Sequence, residues 1–307
     1  MSHRLFFAVC LLLAWPLLGP GASSAEIQII DATGRTVTIH NSKRIVSVGG
    51  SVTEIVYALG LSDRIIAVDT TSLYPDEVKA KPNVGYMRQL SAEPILALDP
   101  SVVLADQDSG PPAVFDQLRE AGLPVVLIPD DPTPHGVLDK IARVAVAVDE
   151  QEKGQALMAR LKAELDALEN AVAGLPSRPR VLFLLSVGGG GAPLAAGRNT
   201  SAAGIIELAG GVNAVDDFED YKPLSPEAVV AAAPDFILVT DRSLGLLGGE
   251  EGLLSIPEVG LTPAGQNRRV VAMDGLLMLG FGPRTGSAIA QLANHLHPGI
   301  TLRAANP

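Results

Sequence analysis

Residues 44–69, RIVSVGGSVTEIVYALGLSDRIIAVD, carry the pattern that decides the fold. Two short apolar runs, RIVSV and RIIAV, flank the stretch SVTEIVYALGL, which we expect to form a helix capped by Ser51 or Thr53. A strand, a helix and a second strand in this order are the repeating unit of a parallel sheet that is covered by helices. The stretch therefore predicts an α/β domain.

The same alternation continues on both sides of this stretch. The preceding segment, IQIIDATGRTVTIH, alternates apolar and polar residues around a Thr-Gly turn and predicts a small hairpin. The strands SVVLAD and PVVLIP and the helix AVFDQLREAGL follow, so we assign residues 26–145 to an N-terminal α/β lobe. The strands RVLFLL, DFILVTD and RVVAMD, with helices between them, predict a C-terminal α/β lobe over residues 176–307.

Between the lobes the pattern becomes helical. Residues 134–175 contain no strand-like run, and we assign residues 146–175 to a linker helix. Its apolar stripe is formed by Leu157, Leu161, Leu165 and Leu168. A helical connector bends less than extended hinge strands do, so we expect little relative motion of the lobes. The predicted fold is α/β, with two Rossmann-like lobes built on parallel sheets and joined by a long helix.

The first 25 residues predict a secretory signal peptide. The segment MSHRLFFAVCLLLAWPLLGPGASSA has a basic start, a short apolar run and small residues at a cleavage site. A membrane anchor is the alternative, and the shortness of the run disfavours it. Cleavage removes one arginine and no acidic residue, so the net charge changes from −11 to −12. Cleavage also removes the only cysteine, Cys10, and the only tryptophan, Trp15, so the exported chain needs no disulfide.

The charge and length of the exported chain restrict its partners. An acidic chain without a basic cluster is a poor candidate for binding nucleic acid or anionic membrane surfaces. The remaining 282 residues are enough to bury a sizeable core. We expect a soluble monomer that does not span a membrane and that binds small molecules or other proteins.

A short module occurs twice in the chain. The stretch LSAEPILALDPSVVLAD recurs 134 residues later as LSPEAVVAAAPDFILVTD, which places Glu93 opposite Glu227. Both copies begin with L-S-x-E, a pattern in which Ser91 and Ser225 would cap a helix whose first turn holds the glutamate. The repeat therefore predicts one similar helix start in each lobe.

Tyr86 and Arg88 precede the first copy, in the polar segment VGYMRQ. In an extended segment the two side chains point to the same side, which brings the guanidinium close to the phenol oxygen. A positive charge there favours the deprotonated phenol. An anionic oxygen suits ferric iron, and tyrosine is one of the protein ligands of haem iron. An interface tyrosine beside a surface arginine is the alternative that this pair alone leaves open.

Other polar motifs give weaker indications. The glycines at 188–191 follow a strand, but no Gly-Lys-Ser/Thr follows them, so nucleotide binding is disfavoured. They predict either a plain turn or a loop that a ligand approaches, and the same alternatives hold for Gly49 and Gly50. The chain has no G-x-S-x-G elbow, and its histidines lack the spacing of a helical metal site. The sequence therefore does not indicate a hydrolase.

Four segments together resemble the haem-binding periplasmic proteins of bacterial ABC-type haem importers, which are helix-linked periplasmic binding proteins. These segments are residues 44–75, the stretch VGYMRQLSAEPILALDPSVVLAD, the stretch AAGRNTSAAGIIELAGGVNAV, and LLMLGFGPRTG. The resemblance implies a periplasmic binding protein, not an enzyme, that binds haem as cargo between its lobes. It also implies delivery of the haem to the permease dimer of an ABC importer in the inner membrane.

The resemblance also implies roles for individual residues. Tyr86 would be the axial ligand of the haem iron, and Arg88 would support it. Glu93 and Glu227 would dock with arginines of the two permease subunits. Some relatives have a haem-binding histidine in the second lobe, but the segment SVGGGGAPL has none. The second-lobe contacts that we expect instead are Arg242, for a propionate, together with Met278 and Phe281.

Two other functions remain open from the sequence. A binder of cobalamin or of an iron-siderophore on the same fold would use the cleft without iron ligation by Tyr86. A secreted haem-modifying enzyme would need a catalytic base or redox centre beside the tyrosine, and the sequence shows none.

Overall fold

The computed structural model describes residues 26–188 and 191–304. The predicted signal peptide, residues 1–25, lies outside the described residues. No helix within the described ranges combines the length and the apolar character that a membrane span requires.

The N-terminal lobe is built on a four-stranded parallel sheet with strand order β4-β3-β5-β6. Burial of these strands on both faces explains why they read as continuous apolar runs in the sequence. The predicted hairpin of β1 and β2 forms a separate two-stranded sheet that packs on α4. The strands are β1 (Ile27–Ile30), β2 (Thr36–Ile39), β3 (Ile45–Val48), β4 (Ile65–Val68), β5 (Val102–Asp106) and β6 (Val125–Ile128). The helices are α1 (Gly50–Ala58), α2 (Ala92–Leu96) and α3 (Pro112–Glu120), with 3-10 turns at Ser62–Arg64 and Asp76–Ala80.

Two helices connect the lobes. Helix α4 spans Pro134–Ala147, and helix α5 spans Gln151–Ala173. The chain turns between them at Asp149, whose φ is 60°, and the helices then pack against each other. The predicted leucine stripe of α5 is buried. The predicted linker, residues 146–175, thus begins inside α4 and covers the whole of α5.

The strands predicted for the C-terminal lobe form a parallel sheet, and two antiparallel strands that were not predicted extend it into a mixed sheet. Its strand order is β10-β8-β7-β11-β12, with β9 beside β7, and β8 runs antiparallel to both β7 and β10. The strands are β7 (Arg180–Gly188), β8 (Gly191–Ala196), β9 (Val212–Asn213), β10 (Tyr221–Pro223), β11 (Phe236–Thr240) and β12 (Val270–Met273). The helices are α6 (Ser201–Leu208), α7 (Pro226–Ala231), α8 (Asp241–Leu246), α9 (Glu250–Leu254), α10 (Pro257–Gly260), α11 (Pro263–Gln266), α12 (Gly275–Leu279) and α13 (Thr285–Leu296).

Gly188 of β7 pairs with Gly191 of β8, which runs antiparallel to β7. Residues 189 and 190 lie outside the described residues, so a plain turn and a loop that a ligand approaches both stay predictions for this segment. Gly49 and Gly50 behave differently, because they begin α1 at the carboxyl end of β3. A Cβ atom at Gly50 would collide with Leu276 of the other lobe and with the Thr71 carbonyl oxygen.

The two lobes are held together by polar contacts between buried or half-buried side chains. Glu54 of α1 accepts two hydrogen bonds of 2.9 Å from Arg284, at the start of α13. The Arg284 guanidinium also lies 3.6 Å from the centre of the Tyr74 ring. Lys140 of α4, fully buried, donates to the Gly280 carbonyl oxygen at 3.1 Å. Burial raises the pKa of Glu54, and the Arg284 hydrogen bonds oppose that shift.

Candidate functional site

A cleft of about 1040 Å³ separates the two lobes. Its walls are formed where strands of both sheets end, because Gly49, Asp106 and Thr240 follow or end β3, β5 and β11. The carboxyl ends of strands are where open α/β sheets bind their ligands. The volume lies at the upper end of the range for small-molecule pockets, so the cleft suits a large ligand.

Tyr86 and Arg88 lie together in this cleft. Arg88 Nη1 donates to Tyr86 Oη at 3.1 Å, which is the proximity that the sequence indicates. The segment is a turn rather than extended, because the Gln89 amide donates to the Tyr86 carbonyl oxygen at 2.8 Å. Tyr86 is 39% exposed, so its ring and hydroxyl are accessible to a ligand in the cleft.

Arg88 connects the tyrosine to an acidic group on the same wall. Its Nη2 atom lies 3.9 Å from Asp108 Oδ2. Burial is the largest single influence and works against the charge of the guanidinium. The hydrogen bond to Tyr86 and the neighbouring Asp108 and Asp106 carboxylates together outweigh burial, and the pKa of Arg88 is raised. Arg88 therefore remains a cation beside the phenol oxygen.

Asp106, Asp108 and Asp130 lie close together below Arg88. Burial and the neighbouring Asp130 carboxylate raise the pKa of Asp106 to about 7, while the Lys140 ammonium opposes the shift. Lys140 donates to Asp130 and to Ser51 Oγ, the latter at 3.2 Å. The cluster thus connects the cleft wall that holds Tyr86 and Arg88 to Lys140, the buried lysine that contacts the other lobe.

The C-terminal lobe forms the opposite wall. Arg242 lies in the cleft, on α8, as the resemblance implies. Leu246, one turn farther along α8, is 81% exposed and also faces the cleft. Tyr221 of β10 completes this wall, with its ring packed edge-on against Phe183.

Met278 and Phe281 are not part of this wall, which corrects the prediction for these two residues. Both side chains are buried in the core, at 0% and 1% exposure. Leu276 and Leu279 of α12 line the cleft instead. Adjacent residues of a short helix face different directions, so an apolar run such as LLML does not by itself indicate which leucine or methionine faces the cleft.

A family model described as "Periplasmic binding protein" matches residues 45–276, about three quarters of the chain. The chain belongs to the periplasmic binding protein family. Two solved structures resemble the binding protein closely. The periplasmic haem-binding protein RhuT from Roseiflexus sp. RS-1, in apo form, is 43% identical, with a TM-score of 0.80 over 84% of this chain and 98% of that chain. The periplasmic haem-binding protein HutB of Vibrio cholerae is 36% identical, with a TM-score of 0.75 over 84% of this chain and 100% of that chain.

A third relative of the binding protein has a different named ligand. The vitamin B12-binding protein of Yersinia pestis (strain Pestoides F) is 29% identical over 211 residues, which cover 67% of this chain and 72% of the relative. These three relatives are named as binding proteins, none as an enzyme.

The repeated module places one exposed glutamate on each lobe of the binding protein. Glu93 lies in the first turn of α2, and Glu227 lies in the first turn of α7. Hydrogen bonds from its own amide and from Ser225 lower the pKa of Glu227. Ser225 Oγ accepts from the Ala228 amide at 3.2 Å, as a cap does, whereas Ser91 makes no side-chain cap bond. The predicted cap is therefore present in the second copy only.

The predicted cap of α1 is also wrong. Gly49, with a φ of 99°, occupies the cap position, and Ser51 and Thr53 lie inside the helix. Both hydroxyls take part in buried contacts, Ser51 with Lys140 and Thr53 with Ser47 at 2.7 Å. The hydroxyl groups serve the core and the cleft wall rather than the helix start.

Sequence reasoning missed Tyr221, Leu246 and the acidic cluster. One signal for Tyr221 was present, because it stands three residues before Leu224 of the repeated module. Leu246 lies in the run SLGLLGG, in which the sequence does not indicate which leucine faces the cleft. Asp106 and Asp108 stand two residues apart at the end of β5, whereas Asp130 follows β6, so only the folded chain brings the third aspartate to the other two.

Proposed function

We propose that this chain is a periplasmic protein that binds haem in its inter-lobe cleft and delivers it to an ABC importer of the inner membrane. The observation that carries the proposal is the half-exposed Tyr86 phenol in a large cleft, with the Arg88 guanidinium 3.1 Å from its oxygen. This pair supplies an oxygen ligand for ferric iron and a cation that favours its anionic form. The two haem-binding relatives support the choice of ligand.

The chain's own groups suggest how the cargo is held. Tyr86 Oη ligates the iron. Arg88 donates a hydrogen bond to this oxygen, and its guanidinium also lies 3.9 Å from the Asp108 carboxylate. The exposed Leu246 and the neighbouring Leu276 offer apolar contact to the porphyrin, and Arg242 offers charge to a propionate. We assign no catalytic role to any residue, because in this proposal the protein releases the haem without altering it chemically.

The partner surface is proposed from the repeat. Glu93 and Glu227 are the same residue type at the same helical position on two lobes, which fits a transporter made of two similar permease subunits. The acting form is a monomer exported to the periplasm by residues 1–25.

A titration with hemin tests the proposal. Purified protein without residues 1–25 is expected to bind hemin and give a high-spin ferric tyrosinate absorption spectrum. The same titration with cyanocobalamin serves as the matched comparison, because the vitamin B12-binding relative favours that ligand. Cobalamin binding without hemin binding would refute the haem proposal and support the alternative.

Arg88→Ala is expected to weaken hemin binding by about tenfold at neutral pH, since a hydrogen bond to a charged group contributes about 1.5–3 kcal/mol. Hemin titrations of both proteins measure this loss.

Two variants control that experiment. Arg88→Lys retains the charge and should recover part of the affinity. Arg268→Ala is the matched control for the loss of an arginine, because it removes an exposed arginine of the C-terminal lobe that is paired with Glu250 and Glu251. Wild-type hemin affinity in Arg88→Ala would contradict the proposed role of the guanidinium.

A further inference from the structure

Each copy of the repeated module follows a tyrosine that faces the cleft. Tyr86 stands four residues before Leu90, and Tyr221 stands three residues before Leu224. Both leucines are buried, and their amides donate to the Gly110 and Pro193 carbonyl oxygens, at 3.0 and 2.8 Å. The module is thus anchored in the same way in both lobes, and it presents a phenol to the cleft from each side.

The surroundings of the second phenol differ from those of the first. Tyr221 lies in strand β10, paired with Ala196 of β8, and its ring packs against Phe183 with centroids 6.4 Å apart. Burial raises the pKa of its phenol, while the Ala202 amide, the Arg88 charge and the Thr200 hydroxyl oppose the shift. No guanidinium donates to it within the described residues, whereas Tyr86 accepts from Arg88. Tyr221 therefore stays a neutral phenol that can donate a proton in a hydrogen bond.

We infer that Tyr221 is the second lobe's polar contact to the cargo, and that its hydroxyl donates a hydrogen bond to a haem propionate. The inference rests on the proposed function. Haem offers a polar group to the opposite wall at only two kinds of place, the iron and the propionate carboxylates. Tyr86 takes the iron, and a neutral phenol matches a carboxylate acceptor better than it matches ferric iron.

The charges of the cleft strengthen this assignment. Its lining contains aspartates on both walls, at Asp108 and Asp130 and at Asp220, Asp241 and Asp274. Among the described lining residues, the exposed cations are Arg88, which donates to Tyr86, and Arg242. Two propionates repelled by these carboxylates need donors that carry no negative charge. Tyr221 provides such a donor on the wall that also holds Arg242.

Tyr221→Phe tests the inference, because it removes the hydroxyl and keeps the ring that packs on Phe183. Hemin affinity should fall by about tenfold, as expected for the loss of a hydrogen bond to a carboxylate. The tyrosinate spectrum should remain, because Tyr86 is intact. Hemin dimethyl ester, whose propionates carry no charge, should bind wild type and variant with affinities within about threefold of each other. Tyr57→Phe, on α1 outside the cleft lining, is the matched control and should bind hemin like wild type.

The outcomes separate the two proposals. Wild-type protein that gives no tyrosinate spectrum with hemin defeats the proposed function and this inference with it. Normal wild-type binding with an unaltered affinity of Tyr221→Phe overturns the inference alone. A changed spectrum in Tyr221→Phe would place the hydroxyl at the iron. An equal loss of affinity for hemin and for its dimethyl ester would show that the loss does not depend on the propionate charge. Either result also overturns the propionate contact.

Discussion

Tyr86→Phe is expected to lose the ferric tyrosinate spectrum and to weaken hemin binding by more than about a hundredfold. Substitutions that only orient a metal ligand typically cost about 10- to 100-fold in affinity, and this one removes the ligand itself. The phenyl ring remains, so apolar contact with the porphyrin is retained. Absorption spectra and hemin titrations of the two proteins measure the effect.

The other tyrosines give the controls for this prediction. Residues 26–307 contain four, Tyr57, Tyr74, Tyr86 and Tyr221, and of these Tyr86 alone accepts from an arginine among the described residues. Tyr57→Phe should keep both spectrum and affinity, and Tyr221→Phe should keep the spectrum. If Tyr86→Phe retained the spectrum of the wild type, iron ligation would have to be assigned to another residue.

The second large effect concerns delivery. Replacing Glu93 and Glu227 together by alanine should leave the hemin spectrum and dissociation constant unchanged, because neither residue lines the cleft. Uptake of haem by proteoliposomes that contain the cognate importer should fall by at least about tenfold, since truncating one partner of an interfacial charge pair costs about 2–5 kcal/mol. Losing a carboxylate from each helix start costs only about 0.3–1 kcal/mol of folding stability per site.

A double variant of equal charge controls for the change in net charge. Glu120 of α3 and Glu152 of α5 are exposed glutamates outside the repeated module, and replacing both by alanine should leave uptake intact. Normal uptake by the folded Glu93/Glu227 variant would show that the repeat only begins a helix in each lobe and that its glutamates do not dock with the importer. Weakened hemin binding by that variant would place the ligand near the glutamates and contradict the position of the cleft.

The architecture could be predicted from the sequence because it depends on local apolar patterns. Strands such as IVSV and VVLAD are buried on both faces and read as unbroken apolar runs, and the α5 stripe shows in the spacing of its leucines. Tyr86 and Arg88 could also be paired from the sequence, because they are two residues apart. The antiparallel strands β8 and β10 of the C-terminal lobe could not be predicted, since no helix separates β7 from β8 to mark a parallel crossover and the apolar pattern does not give strand direction.

Contacts between residues that are far apart in the sequence could not be predicted from it. Phe281 stands in the motif LGFGPRTG, which resembles a ligand-binding segment, yet the folded motif packs the lobes together through Gly280 and Arg284. Phe281 is buried there, with a φ of 46° that turns the chain toward Arg284. The pKa of Asp106 is raised by burial and by the Asp130 carboxylate, which comes from another segment, while Lys140 opposes the shift. Such properties arise from long-range contacts, which local spacing does not encode.

The contacts of Arg284 with Glu54 and Tyr74, and of Lys140 with Gly280, have a practical consequence for biosensor design. Hinge-type binding proteins report their ligands through fluorophores on two lobes that approach each other. Here the lobes are already tied, so such a pair of fluorophores would have little change in distance to detect. Residues 26–307 contain no tryptophan, and two of the four tyrosines line the cleft. Quenching of this intrinsic tyrosine emission by the iron porphyrin is therefore the signal on which a label-free haem sensor would be built.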